Sequence, residues 1–135
     1  MIRVLLLTRG GLAEEWLKAT DAVRGCPAEG IEALTLDAEG SSGAEDSAHV
    51  RTRILHLREF GELLVLTDLH GSTPSNLAAR HAEDPGVSVV AGANLAMVLR
   101  LACDPRTERS LDELTEWICA KGRAGILPIA GTRGS

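Results

Sequence analysis

The chain has 135 residues, of which 44% are hydrophobic and 24% charged, with a net charge of −5. That balance excludes a disordered chain, and the length suffices for a core that needs neither disulfides nor a structural metal. The acid excess, with no basic stripe among aromatics, argues against nucleic acid as a partner.

Ile2–Thr8 is a short, continuous apolar run, the pattern of a strand buried on both faces, and it ends in Thr8-Arg9-Gly10-Gly11. The run is too short for a signal peptide or a membrane span. Leu12, Trp16, Ala19 and Val23 then recur at helical spacing until Gly25 and Pro27 end the helix. Ile31–Leu36 alternates as a strand, and the Gly-, Ser- and acid-rich stretch Asp37–Asp46 reads as a loop. Val50–Phe60 reads as a helix with Arg51, Arg53 and Arg58 on one solvated face, and Leu63–Thr67 as a strand. It runs into Asp68-Leu-His-Gly-Ser-Thr-Pro-Ser-Asn76, where Ser72 or Thr73 fits a helix cap and Pro74 an early helical position, with helix over Asn76–His81.

Val87–Ala91 is a fourth strand, followed by Gly92-Ala-Asn and a helix through Met97, Leu101 and Cys103 that Asp104-Pro105 stops. Ser110 and Glu113 form a capping-box pattern for a helix carried by Leu114, Trp117 and Ile118 to Lys121-Gly122. Gly125–Ile129 reads as a last short strand. The alternation predicts one α/β domain over residues 1–130, an open sheet with helices on both faces, and a frayed tail over 131–135. Its aromatics are Trp16, Phe60 and Trp117, so the core is aliphatic. Cys26, Cys103 and Cys119 form no CxxC pair and read as reduced thiols of a cytoplasmic protein, two of them packed against helices. His49, His56 and His81 lack partners at ligand spacing, so no metal is expected.

In an open α/β sheet, sites gather beyond the C-terminal strand ends. That rule selects Thr8–Gly11 and Thr67–Asn76. In the second segment, Gly71 and Ser72 let the backbone approach a ligand, and the helix start suits an anion. Asp68 would repel an anion and fits better as a carboxylate orienting a neighbouring His or Arg. The same residues also read as a plain turn and cap. If the first and third strands are neighbours, Arg9 projects toward Asp68, as a surface ion pair or as a catalytic position; the residues alone leave both open.

Three segments together carry a resemblance: Thr8-Arg9-Gly10, Thr67-Asp68-Leu69-His70-Gly71-Ser72-Thr73-Pro74-Ser75-Asn76, and Ala91-Gly92-Ala93-Asn94-Leu95-Ala96-Met97. In order and spacing they resemble the enzyme IIA domain of the mannose/fructose family of the bacterial sugar phosphotransferase system, over roughly Ile2 to Pro128. The resemblance implies a flavodoxin-like three-layer sandwich of four parallel strands. It adds a C-terminal antiparallel strand, Gly125–Ile129, exchanged in a homodimer. It also implies a cytoplasmic phosphocarrier without a cofactor, relaying a phosphoryl group from the histidine phosphocarrier protein to a IIB component, and meeting the membrane only through a transporter partner. In the family a His after the first strand accepts the phosphoryl group. Asp68 would inherit the role of orienting that His, and Gly71, Ser72 and Thr73 that of binding the phosphate.

Three positions depart from the family pattern: Arg9 stands at the phosphohistidine, His70 replaces an aromatic residue, and Ala96 replaces a Pro. A guanidinium has no lone pair for attack and cannot replace imidazole, although it can clamp a phosphate with two hydrogen bonds. Enzyme status is therefore open. One expectation is a IIA-like component with transfer lost at Arg9, or with His70 as a substitute acceptor. The alternative is a regulatory module that binds phosphotransferase partners or an anion without transfer. A response-regulator receiver with Asp68 as phosphoacceptor fails, because Thr8-Arg9-Gly10-Gly11 supplies no acids for magnesium.

Overall fold

Four short apolar segments build the sheet, and the chain returns to it each time through a helix. The computed structural model describes residues 1–36 and 43–131. In chain order the elements are β1 (Arg3–Arg9), α1 (Leu12–Arg24), β2 (Ile31–Leu36), α2 (Gly43–Arg58) and β3 (Leu63–Thr67). They continue with α3 (Thr73–Ala79), β4 (Val87–Val90), α4 (Leu95–Ala102) and α5 (Leu111–Ala124). All four strands are parallel, in the order β2-β1-β3-β4. This is a three-layer α/β sandwich with the expected flavodoxin-like arrangement.

The two-residue period of the strands sorts their side chains into two cores. Val4 and Leu6 of β1 and Leu64 and Leu66 of β3 pack against α1, α4 and α5, with Met97, Leu101, Leu114 and Ile118 from the last two helices. Leu5, Leu7, Leu63 and Val65 face the other way, onto Val50, Ile54 and Leu57 of α2 and Leu77 of α3. Residues 4–8 and 63–67 are buried throughout, which is why both strands read as unbroken apolar runs. Each buried Leu contributes about 1.5–3 kcal/mol relative to exposure.

Several boundaries differ from the sequence reading. Helix α2 begins at Gly43, inside the expected loop, and Glu45 and Asp46 in its first turn suit the positive end of the helix dipole. The rest of that expected loop, residues 37–42, lies outside the described residues, as does the expected tail from residue 132. Helix α3 starts at Thr73, three residues early, because Ser72 caps it. The arginines of α2 do not share one solvated face. Arg53 pairs with Glu32 at 3.2 Å, Arg58 donates to the carbonyls of Pro85 and Gly61, and Arg51 faces a cleft between α2 and α3.

After α5, residues 125–131 form no strand in the single copy. Gly125 caps the helix, and Ile126, Leu127 and Ile129 are 77%, 66% and 95% exposed. A strand needs a hydrogen-bonded neighbour, and this segment has none among the described residues.

The end of the sheet where the strands begin is closed by Arg106, which is 2% exposed. Its guanidinium donates to the carbonyls of Ile2 (2.8 Å), Leu101 and Glu29, which joins β1, α4 and the link before β2. Its φ of 56° costs about 1 kcal/mol for a residue with a Cβ. Burial pushes the guanidinium below its ordinary range, opposed by the charge of Asp104. Burial pulls the Asp104 carboxyl upward, but the Arg106 amide and the Arg109 guanidinium outweigh it and hold it below the usual value.

Candidate functional site

The order β2-β1-β3-β4 places the topological switch point between β1 and β3, and crevices open there beyond the strand ends. Arg9 closes β1, and Asp68 follows β3 directly. Gly10, with φ +67°, turns the chain from β1 into α1, and the buried Thr8 hydroxyl accepts from the Ala13 amide at 2.8 Å.

Arg9 and Asp68 stand at adjacent strand ends. Leu5 and Leu7 face α2, so Arg9, two residues on, faces α2 as well. The guanidinium of Arg9 accordingly lies 3.8 Å from the carboxylate of Asp46, on the first turn of α2. Among the described residues the ion-pair partner of Arg9 is thus Asp46, where Asp68 was expected. The Asp46 side chain is 9% exposed and that of Arg9 33%, and a pair so long and partly exposed is worth about 1 kcal/mol at most. Sequence reasoning missed Asp46, because an acid inside a Gly- and Ser-rich stretch carries no signal of what it will face.

Asp68 is committed to its own turn through one oxygen. Its Oδ1 accepts from the Leu69 amide at 2.7 Å and from the Ser72 hydroxyl at 2.9 Å. Its Oδ2 makes no hydrogen bond among the described residues. Ser72 in turn accepts from the Ser75 amide at 3.2 Å and so caps α3, while Asn76 donates to the Gly71 carbonyl at 3.3 Å. Gly71 has φ +90°, a conformation that favours glycine. Thr73 is exposed at the helix start, beside the cleft that Arg51 and Arg80 also line. His70 is exposed on the same turn and has no hydrogen-bond or ion-pair partner among the described residues.

The third segment singled out in the sequence is structural here. Asn94 caps α4 by accepting from the Met97 amide at 3.1 Å, and donates to the Gly122 carbonyl of α5 at 3.2 Å. Chemically, the site offers a cation, two hydroxyls and a half-used carboxylate around a tight turn. That set can hold an anion, and of its members His70 alone carries a neutral nitrogen lone pair. Among the described residues, no group of three or more His, Cys, Asp and Glu side chains gathers for a metal ion. No described helix is long and apolar enough to cross a membrane.

The family model described as PTS system fructose IIA component matches residues 3–119. Among solved structures, the mannose/sorbose specific IIA subunit of the phosphotransferase system from Enterococcus faecalis is similar with a TM-score of 0.83 and 28% identity. The match covers 99% of this chain and 98% of that one. The phosphotransferase system component EIIA from Streptococcus agalactiae shares the fold with a TM-score of 0.82 and 24% identity, over 95% and 97% of the two chains. The PTS IIA protein associated with the fucose utilization operon from Streptococcus pneumoniae does so with a TM-score of 0.80 and 22% identity, over 95% and 96%. No curated protein matches the chain. With the strand order, the helix caps and a family match over most of its length in agreement, the chain belongs to the mannose/fructose family of phosphotransferase-system IIA components.

Proposed function

We propose that this chain is a IIA-type component that has lost phosphoryl acceptance at residue 9 and engages its phosphotransferase partners without transfer there. One observation carries the reading. The side chain at the end of β1, where the family's accepting His is expected, is a guanidinium in an ion pair with Asp46. It has no lone pair with which to attack phosphorus.

The remainder of the cradle fits the same reading. Asp68 keeps Oδ2 unused, as a carboxylate that once oriented an imidazole would. Gly71, Ser72 and Thr73 form the turn that receives the phosphate oxygens in this proposal, and Arg9 adds a clamp for the anion. His70 as a substitute acceptor is the weaker version, since no carboxylate orients its ring. The partners are the histidine phosphocarrier protein and a IIB component, met in the cytoplasm, and the role is regulation of sugar uptake rather than relay. The homodimer belongs to the proposal too. The apolar segment Ile126–Ile129 is exposed and β4 is an edge strand, so exchange of that segment between two copies would bury it. A monomer in sedimentation would remove that part.

The experiment is intact mass after incubation with phosphoenolpyruvate, enzyme I and the histidine phosphocarrier, beside Arg9→His. The expected result is a phosphoryl group on the variant alone. Acid-labile phosphate on the unaltered chain would sink the proposal and turn attention to His70.

A further inference from the structure

At the end of the sheet opposite the candidate site, a groove of about 630 Å³ runs between the link after α1 and the end of α4. Two of the three cysteines, Cys26 and Cys103, line it, and both are exposed. Cys119 is half-buried and packs against the core.

Topology brings the two cysteines to one rim of the sheet. In this parallel sheet the helices run back against the strands, so α1 and α4, which share a face, end at the same rim. Cys26 follows the Gly25 cap of α1, and Cys103 is the cap of α4. Beneath them the Arg106 guanidinium donates to Glu29 and Leu101 at once, which holds the two backbone stretches within the breadth of one side chain. On the near side Arg24 donates to the carbonyls of Cys26 and Pro27 at 3.3 and 3.1 Å, so the link is held over the groove. A disulfide needs Cα atoms within about 7 Å, so a bridge requires the two rims of the groove to meet.

We infer that Cys26 and Cys103 form a redox-active dithiol, which a low-molecular-weight disulfide oxidises to an intramolecular bridge. The thiolate of one cysteine attacks a sulfur of the external disulfide, forming a mixed disulfide and releasing one thiol. The second cysteine then attacks the protein sulfur of that mixed disulfide and expels the other thiol. The protein loses two electrons and two protons, and the external disulfide gains them. The bridge ties α1 to α4 independently of what residue 9 does. It closes a long loop of the unfolded chain, so the oxidised form resists unfolding more than the reduced one.

The test is oxidised glutathione on the full chain at low protein concentration, followed by intact mass and peptide mapping without reduction. The expected product is lighter by two hydrogens, holds no glutathione at these positions, and yields a Cys26–Cys103 peptide pair. Cys103→Ser should instead keep one glutathione on Cys26. Thermal unfolding of the bridged protein should shift upward by several degrees and return when dithiothreitol is added. Separate mixed disulfides on both residues of the unaltered chain would overturn the inference. So would a bridge to Cys119, a covalent dimer, or no reaction at either thiol.

Discussion

The two ends of this sheet solve opposite problems. Where the strands begin, a buried arginine donates to carbonyls of three different segments of the chain. Where they end, Ser72 donates to Asp68 inside a single turn and caps α3, and Arg9 lies 3.8 Å from the Asp46 carboxylate on α2. The first end binds the molecule to itself and leaves little to spare. The second leaves the exposed Thr73 hydroxyl and, among the described residues, one carboxylate oxygen of Asp68 for something else. A polar group inserted into a fold can thus serve as a brace or as a binding element, and the separation lies in how far its hydrogen-bond capacity is used up.

Substitution separates these roles, and the largest effect is expected at the brace. Arg106→Met removes the guanidinium that the carbonyls of Ile2, Leu101 and Glu29 share, at a cost of about 3 kcal/mol in urea unfolding. Phosphorylation of the Arg9→His protein should survive that change wherever the fold does. Asp68→Ala gives the reverse pattern. Removing the acceptor for the Leu69 amide and the Ser72 hydroxyl should cost about 1 kcal/mol. In the Arg9→His background it should slow phosphoryl uptake by about two orders of magnitude, read by quenched-flow mass analysis. If both variants lose stability and phosphorylation together, the two ends are not separate.

The smallest effect is a pH dependence at the braced end. The folded carboxyl of Asp104 lies below its ordinary value, so its contribution is complete above the unfolded value of about 3.9 and is lost as pH falls through the folded one. Asp104→Asn should therefore destabilise the chain at pH 7, with the gap to the unaltered protein narrowing below about pH 4. Guanidine unfolding at several pH values measures it. A gap that widens on acidification would assign the stabilisation to some other group.

The sequence made the sheet legible because residues 4–8 and 63–67 are buried on both faces and therefore apolar without interruption. It made the Ser110–Glu113 capping box legible because both halves are local, and the structure has both hydrogen bonds. The start of α2 was hidden, since Gly43 and Ala44 announce no helix and Asp46 finds its partner on another element. Arg106 was hidden for the same reason, as the carbonyls of Ile2 and Glu29 that it holds lie far away in the chain. The site was half legible. The apolar runs reveal both strand ends, but the pairing of Arg9 with Asp46 joins elements far apart in the chain and carries no local signal.

Thr8, Ser72 and Asn94 each hold the first turn of a helix. Those residues belong to the three segments by which the chain is recognised as kin. Selection for folding alone would therefore preserve the family's signature after its chemistry had gone. A lineage could drift from relay to decoy by a single change at the end of one strand, and its ancestry would stay as readable as before.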